Sequence, residues 1–274
     1  NKARKKNIPI HISTQANISN IESVKFFESL GARRVVLARE LSLEQIKTIK
    51  AQTAMQIETF VHGAMCVSIS GRCYISQYLF GASANRGDCY QPCRREYTVT
   101  DTDTKDTLDV GNSYILSPKD ICTIDIIDKL IDAGIDSFKI EGRSRSPEYV
   151  QAVTAAYRQA IDAVKSGTFN KELTDELMTK LKTVYNRGFS KGFYLGKPTD
   201  EDLAGIYGSA ATQKKIILGK VLNYYSKSQI AFTVIESDEI AIGDSIQIHG
   251  PTTGVIELEI TDLRTEDGKA VTCL

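Results

Sequence analysis

Four cysteines crowd into one short stretch, ETFVHGAMCVSISGRCYISQYLFGASANRGDCYQPCRR. Six residues separate Cys66 from Cys73, fifteen separate Cys73 from Cys89, and three separate Cys89 from Cys93. Cys122 follows in SPKDIC, and Cys273 stands far from the rest. In a chain of otherwise ordinary cytosolic character, thiols gathered this way point to metal ligation rather than to disulfides. Polynuclear iron–sulfur clusters are held by thiolates on flexible loops, and Gly71, Gly81 and Gly87 interrupt this stretch. Arg72, Arg86, Arg94 and Arg95 lie among the thiols, where positive charge lowers thiol pKa values and offsets thiolate charge. The absence of any CxxC pair argues against a zinc ribbon or a thioredoxin-type site. The competing account is a set of free cysteines in the core, which such clustering disfavours.

A second group of chemically capable residues falls at the ends of apolar runs. The first run leads to His11, Ser13, Gln15 and Asn17, and the second to Arg39 and Glu40. The third carries Glu58 and His62, and the fourth Lys139, Glu141, Arg143 and Arg145. Parallel α/β folds bind ligands beyond the carboxyl ends of their strands, so these residues read as a polar site facing the cysteine loop. Guanidinium groups grip carboxylates and phosphates in bidentate fashion, which suits a carboxylate-bearing small molecule. HEXXH, GXSXG, P-loop and GxGxxG patterns are absent, and His11 and His62 are the histidines left for a hydrolase outside the C-terminal region.

The elements that must position these residues follow from periodicity. Strands are expected at 8–13, 33–38, 55–63 and 135–142. Helices are expected at 21–30 with Ser19 or Asn20 as cap, at 41–50 capped by Ser42, at 117–133 and from Pro147 to about 165. Alternating strands and helices imply a parallel sheet. A helix over 171–190 precedes a loop rich in Gly, Pro and Asp that reads as a linker. Beyond Gln213 the period becomes that of alternating strands, the mark of a small antiparallel β-barrel. About four βα units over 1–200, with a cysteine-rich loop insertion, fit either an open sheet or a partial TIM-like barrel, its C-terminal half, and the pattern does not separate the two; a C-terminal β-barrel domain is expected at 213–274. TVTDTDTKDT (98–107) reads as a hairpin tip.

The chain has 274 residues, 34 basic and 34 acidic side chains and no formal net charge, so the total charge says nothing for a nucleic-acid partner. No apolar run approaches the ~20 residues that span a bilayer. The basic start NKARKKNIPI lacks the apolar region of a secretory signal, and the expected compartment is the cytoplasm.

ETFVHGAMCVSISGRC, together with HISTQANISN, VVLARELS, ANRGDCYQPCRREY, YILSPKDIC and FKIEGRSRSPEYV, resembles the collagenase-like peptidase family of unknown catalytic type. Within it, the chain resembles the prephenate-dependent tRNA uridine 5-hydroxylation proteins of the iron–sulfur branch. The likeness runs from near residue 8 to the end and implies an N-terminally truncated member, beginning at what would be the fifth strand of a TIM-like barrel. It implies a 4Fe–4S cluster on Cys66, Cys73, Cys89 and Cys122, with Cys93 as competing ligand. It also implies prephenate as co-substrate and tRNA as partner. A dicarboxylate would fall to Arg86, Arg143 and Arg145, with Glu58, His62 and Glu141 shaping the site as catalytic groups. His11, Gln15, Asn17, Arg39, Glu40 and Lys139 complete the substrate-binding set.

Three functions compete. One is an iron–sulfur RNA hydroxylation enzyme acting on a tRNA wobble uridine. Another is a metal-assisted, collagenase-like peptidase built on Glu58, His62 and Glu141. The third is a non-catalytic module that binds RNA or a partner, through segments such as KARKK. A half-barrel exposes sheet edges, so self-association or a partner subunit completing the barrel is expected.

Overall fold

The computed structural model describes residues 6–109 and 113–274; of the basic run KARKK, residues 2–5 lie outside them. The backbone divides into two units, Asn1–Arg145 with Ala152–Ala211, and Ser146–Gln151 with Thr212–Leu274.

In the first unit the alternation expected from sequence gives β1 (His11–Ile12), α1 (Ile21–Ser29), β2 (Arg34–Val36), α2 (Leu43–Lys50) and β3 (Gln56–Gly63). The caps are those the sequence names. Asn20 Oδ1 accepts from Ser23 N at 2.8 Å, and Ser42 with Gln45 closes a capping box on α2. β1, β2 and β3 pair in parallel, and β7 (Ser137–Ile140) adds a parallel partner to β3. Val35, Ile57 and Val61 are fully buried, as are Val24 of α1 and, nearly so, Ile46 and Ile49 of α2. Each such side chain contributes about 1.5–3 kcal/mol by leaving water.

Successive strand residues point to opposite sides, so the neighbours of Val35 and Ile57 face away from these buried side chains. There Arg34 joins three strands, donating to Gln56 Oε1 at 3.1 Å, to Glu58 Oε2 at 3.2 Å and to Ser137 Oγ at 3.4 Å.

Three expectations are corrected. The helix expected over 117–133 is instead β6 (Asp120–Cys122), a 3-10 turn and a short α4 (Ile127–Asp132). Asp120–Cys122 is fully buried between β3, with which it runs antiparallel, and β8 (Phe189–Ser190), with which it runs parallel. Sheet pairing there overrides the helical spacing of the isoleucines. The helix expected to reach 190 stops as α6 at Lys171–Thr183, because Phe189–Ser190 is that strand. The segment read as a linker packs into the first unit: Tyr194 Oη donates to Phe60 O at 2.6 Å and Leu43 N donates to Tyr194 O at 3.1 Å.

The cysteine stretch holds a short helix, α3 (Ile75–Phe80), and the expected hairpin forms from β4 (Val99–Thr100) and β5 (Thr107–Leu108). α5 runs over Pro147–Ser166. The second unit carries antiparallel strands where alternation predicts them: β9 (Gly219–Tyr225) with β10 (Ile230–Ile235), and β11 (Ser245–Gly250) with β12 (Gly254–Glu259). They form two separate two-stranded sheets among the described residues. The fold is thus mixed α/β, with one largely parallel sheet and several small antiparallel ones. No helix of the described residues is long and apolar enough to cross a membrane.

Candidate functional site

The cysteine loop leaves β3 at its carboxyl end, and the chain anchors it twice. Glu40, just past β2, accepts from Ser70 N at 2.8 Å and from Ser70 Oγ at 3.1 Å, while Ser70 Oγ accepts from Arg39 N at 3.2 Å. Gly71 has φ +72, and a Cβ there would stand 2.6 Å from the backbone oxygen of Gln15. Only glycine fits this approach, since an L side chain would meet backbone in a left-handed conformation. The loop from Cys66 to Cys73 therefore sits on the exits of β1 and β2.

The other pair of thiols is held from a different side. Tyr90 N donates to Ser76 Oγ at 3.1 Å, tying the Cys89 segment to α3. Arg94 donates to the carbonyls of Met65 and Pro118, and to Ser117 Oγ at 3.0 Å. These anchors bring Cys66, Cys73, Cys89 and Cys93 into one electrostatic neighbourhood: Cys66 feels Cys73 and Cys93, and Cys93 feels Cys89 and Cys73.

Burial sets the state of Cys66 and Cys93. It pushes Cys66 up to about 11 and raises Cys93, outweighing Arg39 near the first and Arg94 and Arg187 near the second. The sequence expectation that the arginines would win is thereby corrected for these two.

Cys122 stands apart. It is fully buried in β6 opposite His62, its Sγ lies 3.9 Å from the Tyr157 hydroxyl, and its charged neighbours are Lys191 and Asp125. Burial pushes its thiol up to about 11. Cys273 lies in the second unit, exposed, near Glu239.

Next to the Cys93 segment lies a knot of charge of which sequence reading named only Arg145, as a substrate-binding residue; Asp120 and Arg187 were missed. The Asp120 carboxylate meets Arg187 at 3.3 Å and Arg145 at 3.6 Å, all three side chains at most 8% exposed. Arg187 also donates to Gln91 Oε1 at 3.1 Å, and the Arg145 guanidinium lies 3.8 Å over the Tyr185 ring. No motif links SPKDIC to YNRGF along the chain, so only the pairing of β6 with β8 reveals this group.

The remaining expected site residues do not share one place. Arg39, Glu141, Arg143 and Arg86 gather at the loop. Arg39 lies 3.8 Å over the Phe60 ring and 3.6 Å from Glu141; Glu141 accepts from Arg143 N at 2.9 Å; and Arg143 donates to the carbonyl of Gly87, beside the exposed Arg86, at 3.0 Å. Glu58 and Lys139 belong to the ion-pair layer of the sheet, with Glu58 between Arg34, Ser137 and Lys139. His11 aligns with Arg34, itself aligned with Gln56, the first residue of β3. It therefore sits at the amino-terminal end of the sheet, opposite the thiols, in a shallow depression with Pro9, Arg33, Arg34 and Gln56. Asn17 closes a 3-10 turn in the left-handed conformation, and Gln15 offers its backbone to Gly71.

His62 faces inward at 2% exposure, its ring edge-on to Tyr157 and tilted against Phe189. Burial, reinforced by Arg145, holds it neutral with its pKa lowered to about 3. It is a core histidine and does not reach a solvent-facing substrate.

No three His, Cys, Asp or Glu side chains among the described residues are grouped to hold a single metal ion. A mononuclear zinc would draw thiolates to about 3.8 Å from one another, given Zn–S bonds of about 2.3 Å. A polynuclear cluster spreads the same donors further apart, and four thiols linked through Cys93, which acts on each of the other three, match its ligand chemistry. Two buried polar atoms beside this group, Arg39 Nε and Glu40 Oε2, lack hydrogen-bond partners.

The model of Peptidase family U32 matches residues 1–204. The chain belongs to this family. A collagenase of Porphyromonas gingivalis is 46% identical over 270 residues, covering 94% of this chain and 65% of that protein. The tRNA hydroxylation protein P1 of Bacillus subtilis is 36% identical over 267 residues, covering 96% and 63%. A 23S rRNA 5-hydroxycytidine synthase of Escherichia coli is 47% identical over 157 residues, covering 57% and 24%. The chain thus spans just under two thirds of the first two U32 relatives. No solved structure matches.

Proposed function

We propose that this chain belongs to an RNA-hydroxylating protein, of which it carries the iron–sulfur cluster and the rim that binds a prephenate-like dicarboxylate, with tRNA as the RNA. The observation that carries this reading is the gathering of Cys66, Cys73, Cys89 and Cys93 among the half-buried guanidiniums of Arg39 and Arg94 and the buried one of Arg187. Relatives named for tRNA and rRNA hydroxylation support RNA as the substrate class.

Cys93 takes the fourth ligand position in place of Cys122, because it shares an electrostatic neighbourhood with the other three thiols while Cys122 faces Tyr157. A cluster ligated by four thiolates carries net negative charge, which guanidiniums offset strongly in a medium of low dielectric. Bound there, the cluster supplies one-electron redox chemistry.

The chain's own residues hold and orient. Glu40 keeps the loop from Cys66 to Cys73 in place through Ser70. Arg143, which donates to the Gly87 carbonyl, and the exposed Arg86 that precedes Gly87 form the rim that would bind carboxylates in bidentate fashion. Glu141, between Arg39 and the backbone of Arg143, orients both.

The collagenase names favour a metal-assisted peptidase as second reading. A peptidase of this kind needs a base that reaches a solvent-facing water. Glu58 is committed to Arg34, Ser137 and Lys139, and His62 is buried.

Anaerobic purification, followed by reconstitution with ferrous iron and sulfide, tests the proposal. Wild type is expected to hold iron and sulfide in near-equal amounts with a broad visible absorption, and Cys66→Ala to lose both. A colourless, iron-free wild type after reconstitution overturns the reading.

A further inference from the structure

The outward side of the cysteine stretch is aromatic. Tyr78 of α3 is 90% exposed, Tyr74 64% and Tyr90 60%. Ser76 is the buried residue of α3, so this helix offers its rings to solvent rather than to a core. Tyr74 and Tyr78 are four apart and lie on one helical face a turn from each other. Phe80 meets Tyr90 edge-on with centroids 5.6 Å apart, and the Arg95 guanidinium lies 5.4 Å over the Phe80 ring.

Charge is concentrated on the same segment. Residues 66–95 hold four arginines and one aspartate, with no lysine or glutamate, in a chain whose formal net charge is zero. Arg72, Arg86 and Arg95 are exposed. An aromatic patch in neutral surroundings would suit a protein partner. Rings interleaved with guanidiniums match a different occupant: ring faces for unstacked bases, and fixed positive charge for the phosphates between them.

We propose that Tyr74, Tyr78, Phe80 and Tyr90, with Arg95, form a stacking platform for unpaired bases of single-stranded or loop RNA. The platform rests on the RNA reading above and deepens it. Because Tyr74 follows Cys73 and Tyr90 follows Cys89, bases stacked on these rings are brought beside the thiol group. Paired bases cannot open their faces to the rings, so the platform selects loops over duplexes.

Fluorescence anisotropy with a labelled hairpin RNA, and with the same stem as a blunt duplex, tests this on the cluster-loaded chain. Wild type is expected to prefer the hairpin. Tyr78→Ala and Tyr90→Ala should each weaken hairpin binding about five- to 150-fold. Tyr78→Phe should retain binding, and the iron and sulfide content of every variant should match wild type. Variants that bind the hairpin like wild type, or a wild type without preference for the loop, overturn the platform and leave the RNA reading intact. A cluster-loaded wild type that binds neither RNA overturns both.

Discussion

Asp120 and Arg187 form an ion pair in the interior of the first unit, 3.3 Å apart, with side chains 1% and 7% exposed. The Asp120 carboxylate also faces Arg145, so one acid answers two buried bases. Removing one partner of a buried pair costs about 3–5 kcal/mol, because a desolvated charge is left behind. Asp120→Ala is therefore expected to lower unfolding stability by that order, measured by urea denaturation. A loss below about 1 kcal/mol would assign the pair the weight of a surface contact.

The ligand assignment separates two thiols. Cys93→Ala is expected to lose most of its iron and sulfide on reconstitution, whereas Cys122→Ala retains them and loses stability by small-cavity amounts, about 1 kcal/mol. Retention by the first and loss by the second would return Cys122 to the ligand set.

Gly71→Ala probes the mounting of the loop. The left-handed conformation costs a non-glycine residue about 1–2 kcal/mol, and the new Cβ meets the Gln15 carbonyl at 2.6 Å. Both loop thiols ride on this turn, so the variant should show lower stability together with reduced iron content. Wild-type iron loading in a stable Gly71→Ala protein would show that the turn can shift without disturbing the thiols.

Glu40→Ala leaves Ser70 N without its acceptor, at a cost of about 1–3 kcal/mol for a buried donor. Hydrogen exchange should rise within 66–73 and stay unchanged in β3. Uniform exchange across both would argue that the loop does not depend on Glu40.

His62 makes stability depend on pH. Its folded pKa, about 3, lies below the usual 6.5, so the folded state binds the proton less readily than the unfolded chain. The contribution is complete above pH 6.5 and is lost as pH falls toward 3, at about 1.4 kcal/mol per unit. Between pH 7 and 5 the wild type should lose about 2 kcal/mol from this group, a loss that His62→Gln lacks. Equal pH slopes for both proteins would show that the ring is protonated in the fold.

Much of this was legible in the sequence because local chemistry governs it. The caps at Asn20 and Ser42, the valines of β2 and the strand state of β9 to β12 are local signals and form as read, though these four strands pair as two separate sheets. Asp120–Cys122 was misread because its spacing suits a helix and its strand state depends on partners distant along the chain. The four thiols were visible as a group, yet the choice between Cys93 and Cys122 was not. Spacing does not say that one lies beside the other thiols and the other within the sheet, paired opposite His62 and facing Tyr157. His62 looked available at the end of a strand, whereas the rings of Tyr157 and Phe189 enclose it.

Arg94 follows Cys93 in the chain, and its guanidinium reaches the carbonyl of Met65, the residue before Cys66. One side chain thus cross-braces the first and last thiols of the group. Closing a loop of this length costs about 3 kcal/mol of chain entropy, an outlay usually charged to the incoming metal. Here folding has already made it, so metal affinity should track the integrity of this strut, and a guanidinium that touches no metal would govern how readily iron is retained.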